Sequence, residues 1–397
     1  MARKKIKLRN KKFILMLFVF IAVSVVARNV NRVTLLDRAI VVGMGIEMRD
    51  NSYYVHLQVL KATGNASESS GNEDSYIVFS GRGETVADAL GRIGSDSGLV
   101  IALAHCNIVI LSSNVLNNLL PATLTALIST WQLPDQAVLL ATSDSPADFL
   151  SSQAPLSNLT AFYMRRALRL LEDDFSAIKL VVKDYLADYY SKSGVTAAAF
   201  LEKNVVSSQN DSGDCGGGQY GEKGDSEGGA DADSPGDFAR YYMKRAMVFG
   251  RGVKPMIMCE SSTAAICIIK NNIKKGSFNV FDKDVKIECD LVYENVRRRI
   301  SDGEAVMDIK IKMRAMEIQR ENEISSFRDY GCDQTAIAAQ KFKVWVEDAF
   351  LAAQAQGIDL FQLEDAMYQK KGRKWVKPDD FIKNMRLKVS VAVTVGS

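Results

Sequence analysis

The sequence predicts an α+β fold: a multi-subdomain ectodomain of mixed antiparallel sheets with packed helices, preceded by an N-terminal signal or anchor helix. Three observations carry this. Two long runs, FDKDVKIECDLVYENV and GEAVMDIKIKMRAMEIQ, alternate with period 2, which marks adjacent antiparallel strands with one wet face. A long helical pattern, TAIAAQKFKVWVEDAFLAAQAQG, follows them and precedes a closing strand, NMRLKVSVAVTVGS, so that a helix packs on one face of a sheet. Upstream, strand-length apolar runs are interspersed with amphipathic helical stretches.

Taken in order, LLDRAIVVGMGIEMRDNSYYVHLQVLKA reads as two strands joined by a polar turn at RDNS. A polar loop, TGNASESSGNEDS, leads into a third strand, YIVFSGRG. GETVADALGRIGSD begins with a Thr cap and places Val86, Ala89, Leu90 and Ile93 on one helical face. CNIVILSSNVL is a compact β run, VLNNLLPATLTALISTW a helix with an early Pro, and QAVLLATS another strand. From Pro146 to Tyr190 the pattern is mostly helical. The composition then changes sharply: Gly, Asp and Ser dominate Ser207 to Asp237, which predicts a disordered loop or linker. Beyond it, RAMVFGRGVKPMIM reads as two short strands around a Gly turn and ESSTAAICIIKNNIKKG as a capped helix. The expected organisation is a basic tail and signal segment over 1–27, an N-terminal α+β region over 28–206, the linker over 207–237 and a C-terminal α+β domain over 238–397.

The N-terminus has the layout of an export signal. MARKKIKLRNKK is dense in Lys and Arg, and the apolar run from Phe13 stops at Arg28. Phe13 to Ala27 is about 15 residues, roughly 22 Å as a helix against a hydrocarbon core of ~30 Å. That length suits an h-region, with Val25-Val26-Ala27 a passable cleavage site. Snorkelling by Lys11, Lys12, Arg28 and Arg32 would let the short helix span a thinned bilayer. N-terminal lipidation needs a Cys just after the segment, and the first Cys is Cys106. The reading favours a retained anchor over cleavage.

The 397 residues carry a formal charge of +3, which the basic tail more than supplies, so the body is close to neutral or acidic and argues against nucleic acid as a partner. A hydrophobic content of 47% is ample for cores, and no later stretch is apolar enough to span a membrane. The six Cys (106, 215, 259, 267, 289 and 332) show no CxxC spacing, and buried free thiols are the expectation for Cys259, Cys267 and Cys289.

Little in the chain points to catalysis. There are two His. His56, alternating with apolar residues in YYVHLQV, is expected to face solvent or a subunit. His105 adjoins Cys106, but neighbouring strand residues point to opposite faces and make a poor catalytic pair. There is no HExxH, and the acidic linker lacks calcium-loop spacing. The GMG at Gly43 does not open a helix, and the GRG at Gly81 lacks a Walker Lys, so neither makes a phosphate loop. No catalytic, cofactor-binding or metal residue is assigned.

Several segments, in order, resemble the Ger(x)C family, the C subunit of nutrient germinant receptors of endospore formers. LLDRAIVVGMGIEMRD resembles its opening, and YIVFSGRGETVADALGRIGSDSGLVIALAHCNIVILSSNVL its next block. RRALRLLEDDFSAIKLVVKDYLADYYSKSGVTAAAFLE and RAMVFGRGVKPMIMCESST resemble the stretches flanking its middle linker. The ending, with Gly-Ile-Asp-Leu-Phe, the basic KKGRKW segment and FIKNMRLKVSVAVTVGS, is the best match. The family's lipobox Cys is missing: in register it falls at about Asn29, with Val30 and Asn31 in place of Trp-Asp. The resemblance implies a non-enzymatic, membrane-tethered subunit at the outer face of the spore inner membrane, docking with integral-membrane A and B subunits and needing no cofactor. The wet strand faces and the KKGRKW segment are candidate docking surfaces, with Trp375 either an exposed anchor or a half-buried packing residue. The residues do not say whether the chain touches a germinant itself. The alternatives are a signal-anchored envelope protein with a binding or structural role unrelated to spores, and a secreted hydrolase.

Overall fold

The computed structural model describes residues 16–21, 37–61, 76–116, 118–152, 159–173, 175–203, 241–270, 276–282, 285–301, 303–320, 323–325 and 331–395; within 276–294 and 313–334, and at 395, it describes the backbone alone. Most of the expected signal segment, the linker over 207–237 and Cys215 therefore lie outside the described residues. Residues 16–21 are helical and exposed, and no described helix is long and apolar enough to cross a membrane.

The fold is α+β, built on two sheets. The first begins with β1 (Arg38–Arg49), which turns at Asp50 and Asn51, both at positive φ, into antiparallel β2 (Ser52–Leu60). Then β3 (Tyr76–Gly83) pairs antiparallel with β2. Helix α1 (Val86–Ser97) is capped by Thr85, whose Oγ1 accepts the Asp88 N–H at 3.1 Å, and it buries Val86, Ala89, Leu90 and Ile93. It leads through β4 (Val100–Ala102) to β5 (Ile108–Ser112), which lies parallel to β1. Helix α2 (Leu120–Trp131) carries Pro121 in its first turn, where the missing N–H costs nothing, and leads to β6 (Val138–Thr142), parallel to β5. All five residues of β6 are buried, as expected of a strand covered on both faces.

The stretch after Pro146 divides into α3 (Pro146–Ser151), α4 (Thr160–Asp173) and α5 (Val182–Tyr190), with a two-residue strand, β7 (Leu180–Val181), before the last. Then β8 (Val195–Lys203) joins parallel to β6. After residues 204–240 the chain returns as β9 (Tyr241–Gly250) and β10 (Val253–Met258), which continue this same sheet antiparallel from β8. The strand order is β10-β9-β8-β6-β5-β1-β2-β3, so the region expected to open a C-terminal domain completes the N-terminal sheet. On one face α1, α2 and α5 cover Val109, Leu111, Leu139 and Ala141; on the other, α3 and α4 cover Ile108, Ile110, Val138 and Leu140.

The second sheet follows α6 (Glu260–Lys270). Strands β11 (Gly276–Asp282), β12 (Val285–Ser301), β13 (Glu304–Arg320) and β14 (Glu323–Ser325) run antiparallel in turn. Helix α7 (Gly331–Ala355) and the short α8 (Leu363–Lys371) precede β15 (Arg386–Val395), which pairs parallel with β13. The alternation is realised in β13: Ala305, Met307, Ile309 and Ile311 are buried against Phe342, Val346 and Phe350 of α7, while Lys310 and Lys312 face outward. The same core takes in Val195, Ala197, Ala246 and Val248 of the first sheet, so the two sheets share packed side chains around α6.

Candidate functional site

Two polar constellations stand out against these apolar layers. The first lies on the α3 face of the first sheet. Register sets His56 of β2 opposite Gly45 of β1 and opposite Ser80 of β3. With no side chain on Gly45, Pro146 and Leu150 close down there: a Cβ at this position would stand 2.5 Å from that of Pro146. His56 is thereby 6% exposed, not facing solvent or a subunit as its strand pattern suggested. Its Nε2 lies 3.1 Å from Glu47 Oε1 and its Nδ1 2.7 Å from Ser80 Oγ. A neutral ring donating from Nε2 and accepting the Ser80 hydroxyl at Nδ1 satisfies both contacts. The buried Glu47 also takes Arg49 Nη2 at 2.9 Å and the Ser145 hydroxyl at 3.5 Å.

Ser, His and carboxylate thus stand in relay order, but Ser80 is set in an extended strand directly opposite its His. A nucleophilic Ser also needs donors aimed at the developing oxyanion, and it is usually lifted out on a strained turn. The cluster is a satisfied tie between three strands and the start of α3, the condition on which buried polar groups are tolerated.

The second constellation joins the two sheets. Asp188 at the end of α5 accepts Thr196 Oγ1 at 2.6 Å, Lys270 Nζ at 3.3 Å and Gln362 Nε2 at 3.0 Å. Asp365 of α8 accepts the backbone N–H groups of Lys192 and Ser193 at 2.8 and 3.1 Å and the Ser193 hydroxyl at 2.7 Å. Burial pushes the Asp365 carboxyl up, but these hydrogen bonds outweigh it and hold it below its ordinary range. Asp359 caps α8 by accepting the N–H groups of Leu363 and Glu364, both at 2.8 Å; burial outweighs the caps and raises it to about 6. Arg298 crosses from β12 to donate to the carbonyls of Ile269 at 2.5 Å and Phe361 at 3.3 Å.

The other residues singled out by sequence fall into place. His105 is exposed in the turn before β5, whereas Cys106 points inward with its Sγ 3.3 Å from the Ile108 carbonyl oxygen. Burial raises the Cys106 thiol to about 12, so it is not a poised nucleophile. Cys267 is buried as expected, with its Sγ 3.6 Å from the Ala177 carbonyl oxygen, whereas Cys259 is half-buried beside the Ser261 and Ser262 hydroxyls; the Cys289 side chain lies outside those described. Gly43 lies inside β1 rather than between strands, where a Cβ would come within 2.9 Å of that of Ala161; its role is close packing of α4. At Gly81 a Cβ would stand 2.5 Å from Ile93 of α1, so the GRG is a packing device as well. Trp375 is half-buried with its ring edge-on to Phe381 at 5.4 Å, so the packing alternative, not the exposed anchor, describes it. Among the described residues no three His, Cys, Asp or Glu side chains gather as a metal site.

Outside these clusters, the outward face of the second sheet is basic. Arg297, Arg299, Lys310, Lys312 and Lys388 stand there with Asp308 and Glu304, which pair with Arg299 at 2.6 Å and Lys388 at 2.5 Å. Sequence reasoning found this face from alternation alone. It missed the Glu47–His56 tie, for which the local signal is a polar residue flanked by apolar neighbours in each of two strands.

Residues 31–202 match the family model of the spore germination protein N-terminal domain, and residues 244–397 that of the spore germination B3/GerAC-like C-terminal domain. No curated protein is matched. Among solved structures, the crystal structure of the GerBC protein is similar, with 16% identity and a TM-score of 0.49 over 89% of this chain and 97% of that one. The two family models lie in order and leave out only the N-terminal segment and the stretch around 203–243, so the chain belongs to the GerAC-like family of spore germination proteins, the C subunits of germinant receptors.

Proposed function

We propose that the chain is a non-enzymatic subunit of a spore nutrient germinant receptor, held at the outer face of the spore inner membrane by its Phe13–Ala27 segment and docked on integral-membrane A and B subunits. The observation that carries this is the match of both halves, in order, to the two domains of one germination family. The absent lipobox Cys makes a retained apolar segment the remaining means of tethering. Docking is assigned to the outward face of β12, β13 and β15, whose basic side chains fit an acidic partner surface. The division into a region over 28–206 and a domain over 238–397 is proposed as one of chain segments sharing a sheet.

The test begins with inner membranes from dormant spores, in which the N-terminal peptide and intact mass are read and the A and B subunits are co-purified. Retention of Phe13–Ala27 together with both subunits is the expected result. A soluble form starting near Arg28, or absence from spores, overturns it. The Lys310→Glu/Lys312→Glu variant is expected to keep its membrane location and lose the co-purifying subunits.

A further inference from the structure

The outward face of α4 is not accounted for by either constellation. Ala161, Met164 and Leu168 face the first sheet. Phe162, Arg165, Arg166, Arg169 and Leu170, spaced three or four apart, line the opposite face, with Phe162 42% and Leu170 62% exposed. Among the described residues none of these arginines pairs with a carboxylate; Arg165 donates to Asn107 Oδ1, and Glu172 is held by Lys179 at 3.2 Å. Asp173 is the one exposed acid on the helix, at its last turn.

Arg165 also fixes which end of the sheet this face borders. The Asn107 N–H donates to the Val42 carbonyl at 2.9 Å, and the Asn107 carbonyl accepts from Val138 at 2.9 Å, so Arg165 lies where β5 and β6 begin, beside Val42 in the first half of β1. A cavity of about 470 Å³ opens beside it, walled by Ile40, Val42 and Pro134 and rimmed by Phe162 and Arg165. β1 is the first strand after the proposed tether, and Arg28 to Leu36 reaches at most roughly 30 Å fully extended. The tether therefore keeps this end of the ectodomain close to the bilayer.

We infer that the outward face of α4 docks on an anionic phospholipid bilayer, with Arg165, Arg166 and Arg169 at lipid phosphates and Phe162 and Leu170 in the interfacial layer. Arginines interleaved with large apolar side chains on one helix face are the composition that lies in a charged lipid interface. The inference rests on the tethering proposed above, which brings this end of the sheet to the membrane. An acidic protein is the competing occupant, and the test separates the two.

The full chain is prepared with p-benzoylphenylalanine at Leu170, or at Leu351 of α7, which is 58% exposed, as a control. Each is reconstituted into vesicles of phosphatidylcholine alone or with phosphatidylglycerol, irradiated, and its adducts are identified by mass spectrometry. Flotation with phosphatidylcholine vesicles reads the tether independently of α4. At position 170, lipid adducts are expected to rise roughly tenfold with phosphatidylglycerol and to fall back in high salt. The Arg166→Glu/Arg169→Glu variant should lose that rise and still float, with position 351 unchanged throughout. Position 170 giving no more lipid adduct than 351 in phosphatidylglycerol vesicles overturns the inference, whether or not the chain floats. So does a protein adduct at 170, in place of lipid, when the same chain is irradiated in spore inner membranes.

Discussion

Asp365 and Ser193, far apart in sequence, meet through two hydrogen bonds: Asp365 Oδ2 accepts the Ser193 hydroxyl at 2.7 Å and its backbone N–H at 3.1 Å. One carboxylate thereby fixes the loop entering β8 of the first sheet to α8, the helix that precedes the last strand of the second. Asp365→Ala leaves the Lys192 and Ser193 N–H groups without this acceptor and should cost about 1–3 kcal/mol of stability by urea denaturation. Because the Asp365 carboxyl is held below its ordinary range, the contribution is present above the unfolded-state value and lost as pH falls through the folded one. The gap between wild type and variant should therefore close under acid conditions.

Asp359 carries the opposite sign. Its folded-state value of about 6 lies above the unfolded one, so the folded chain holds a proton that the unfolded chain releases. Stability should fall as pH rises from about 4 to 6, by up to roughly 3 kcal/mol for a shift of about two units. Asp359→Asn cannot ionise and should flatten that slope, at the expense of one of the two cap acceptors. Parallel urea titrations of the two proteins across this range check it.

The two glycine environments give a paired test. Gly45→Ala drives a methyl into Pro146 and should destabilise by about 1–3 kcal/mol, displacing α3 from the sheet. A methyl on Gly91 of α1 meets nothing within 4 Å, and Gly91→Ala should stabilise by roughly 0.5–1 kcal/mol. Thermal unfolding of both variants reads the contrast.

At the strand tie, His56→Leu leaves the buried Glu47 with only Arg49 and Ser145 and should cost about 2–3 kcal/mol. Ser80→Ala acts at an exposed position and should cost about 1 kcal/mol or less. A tie makes no chemical demand on Ser80, so turnover of activated esters by wild type and Ser80→Ala should be equally at background. A rate that disappears with Ser80 alone would count against the structural reading.

Local patterns made the strands and helices legible. The alternation of Ala305, Met307, Ile309 and Ile311 placed β13 and its buried face, and Thr85 marked the start of α1. Partner choice was not legible. Nothing within Tyr241–Gly250 says that its neighbour is Val195–Lys203 rather than the strands that follow it. The burial of His56 was hidden for the same reason. Glu47 and Ser80 reach it only through the register of three strands, and the helix that covers it depends on Gly45, a residue with no side chain to signal burial. The outward residues of α4 were visible as letters, but that its arginines form no ion pair among the described residues was not.

The β8–β9 pairing also governs the order in which this chain can be made. A ribosome or translocon that has released only the first 203 residues has delivered a sheet ending at β8, whose outer edge is unpaired. That edge is covered only once Tyr241–Gly250 has emerged, so the nascent first half must wait, without aggregating, for a strand from the far side of residues 204–240. The reverse holds once folding is done. A chain cut between Lys203 and Tyr241 would still be held together by the β8–β9 ladder and the shared core, and two separately synthesised halves would carry the information to find each other.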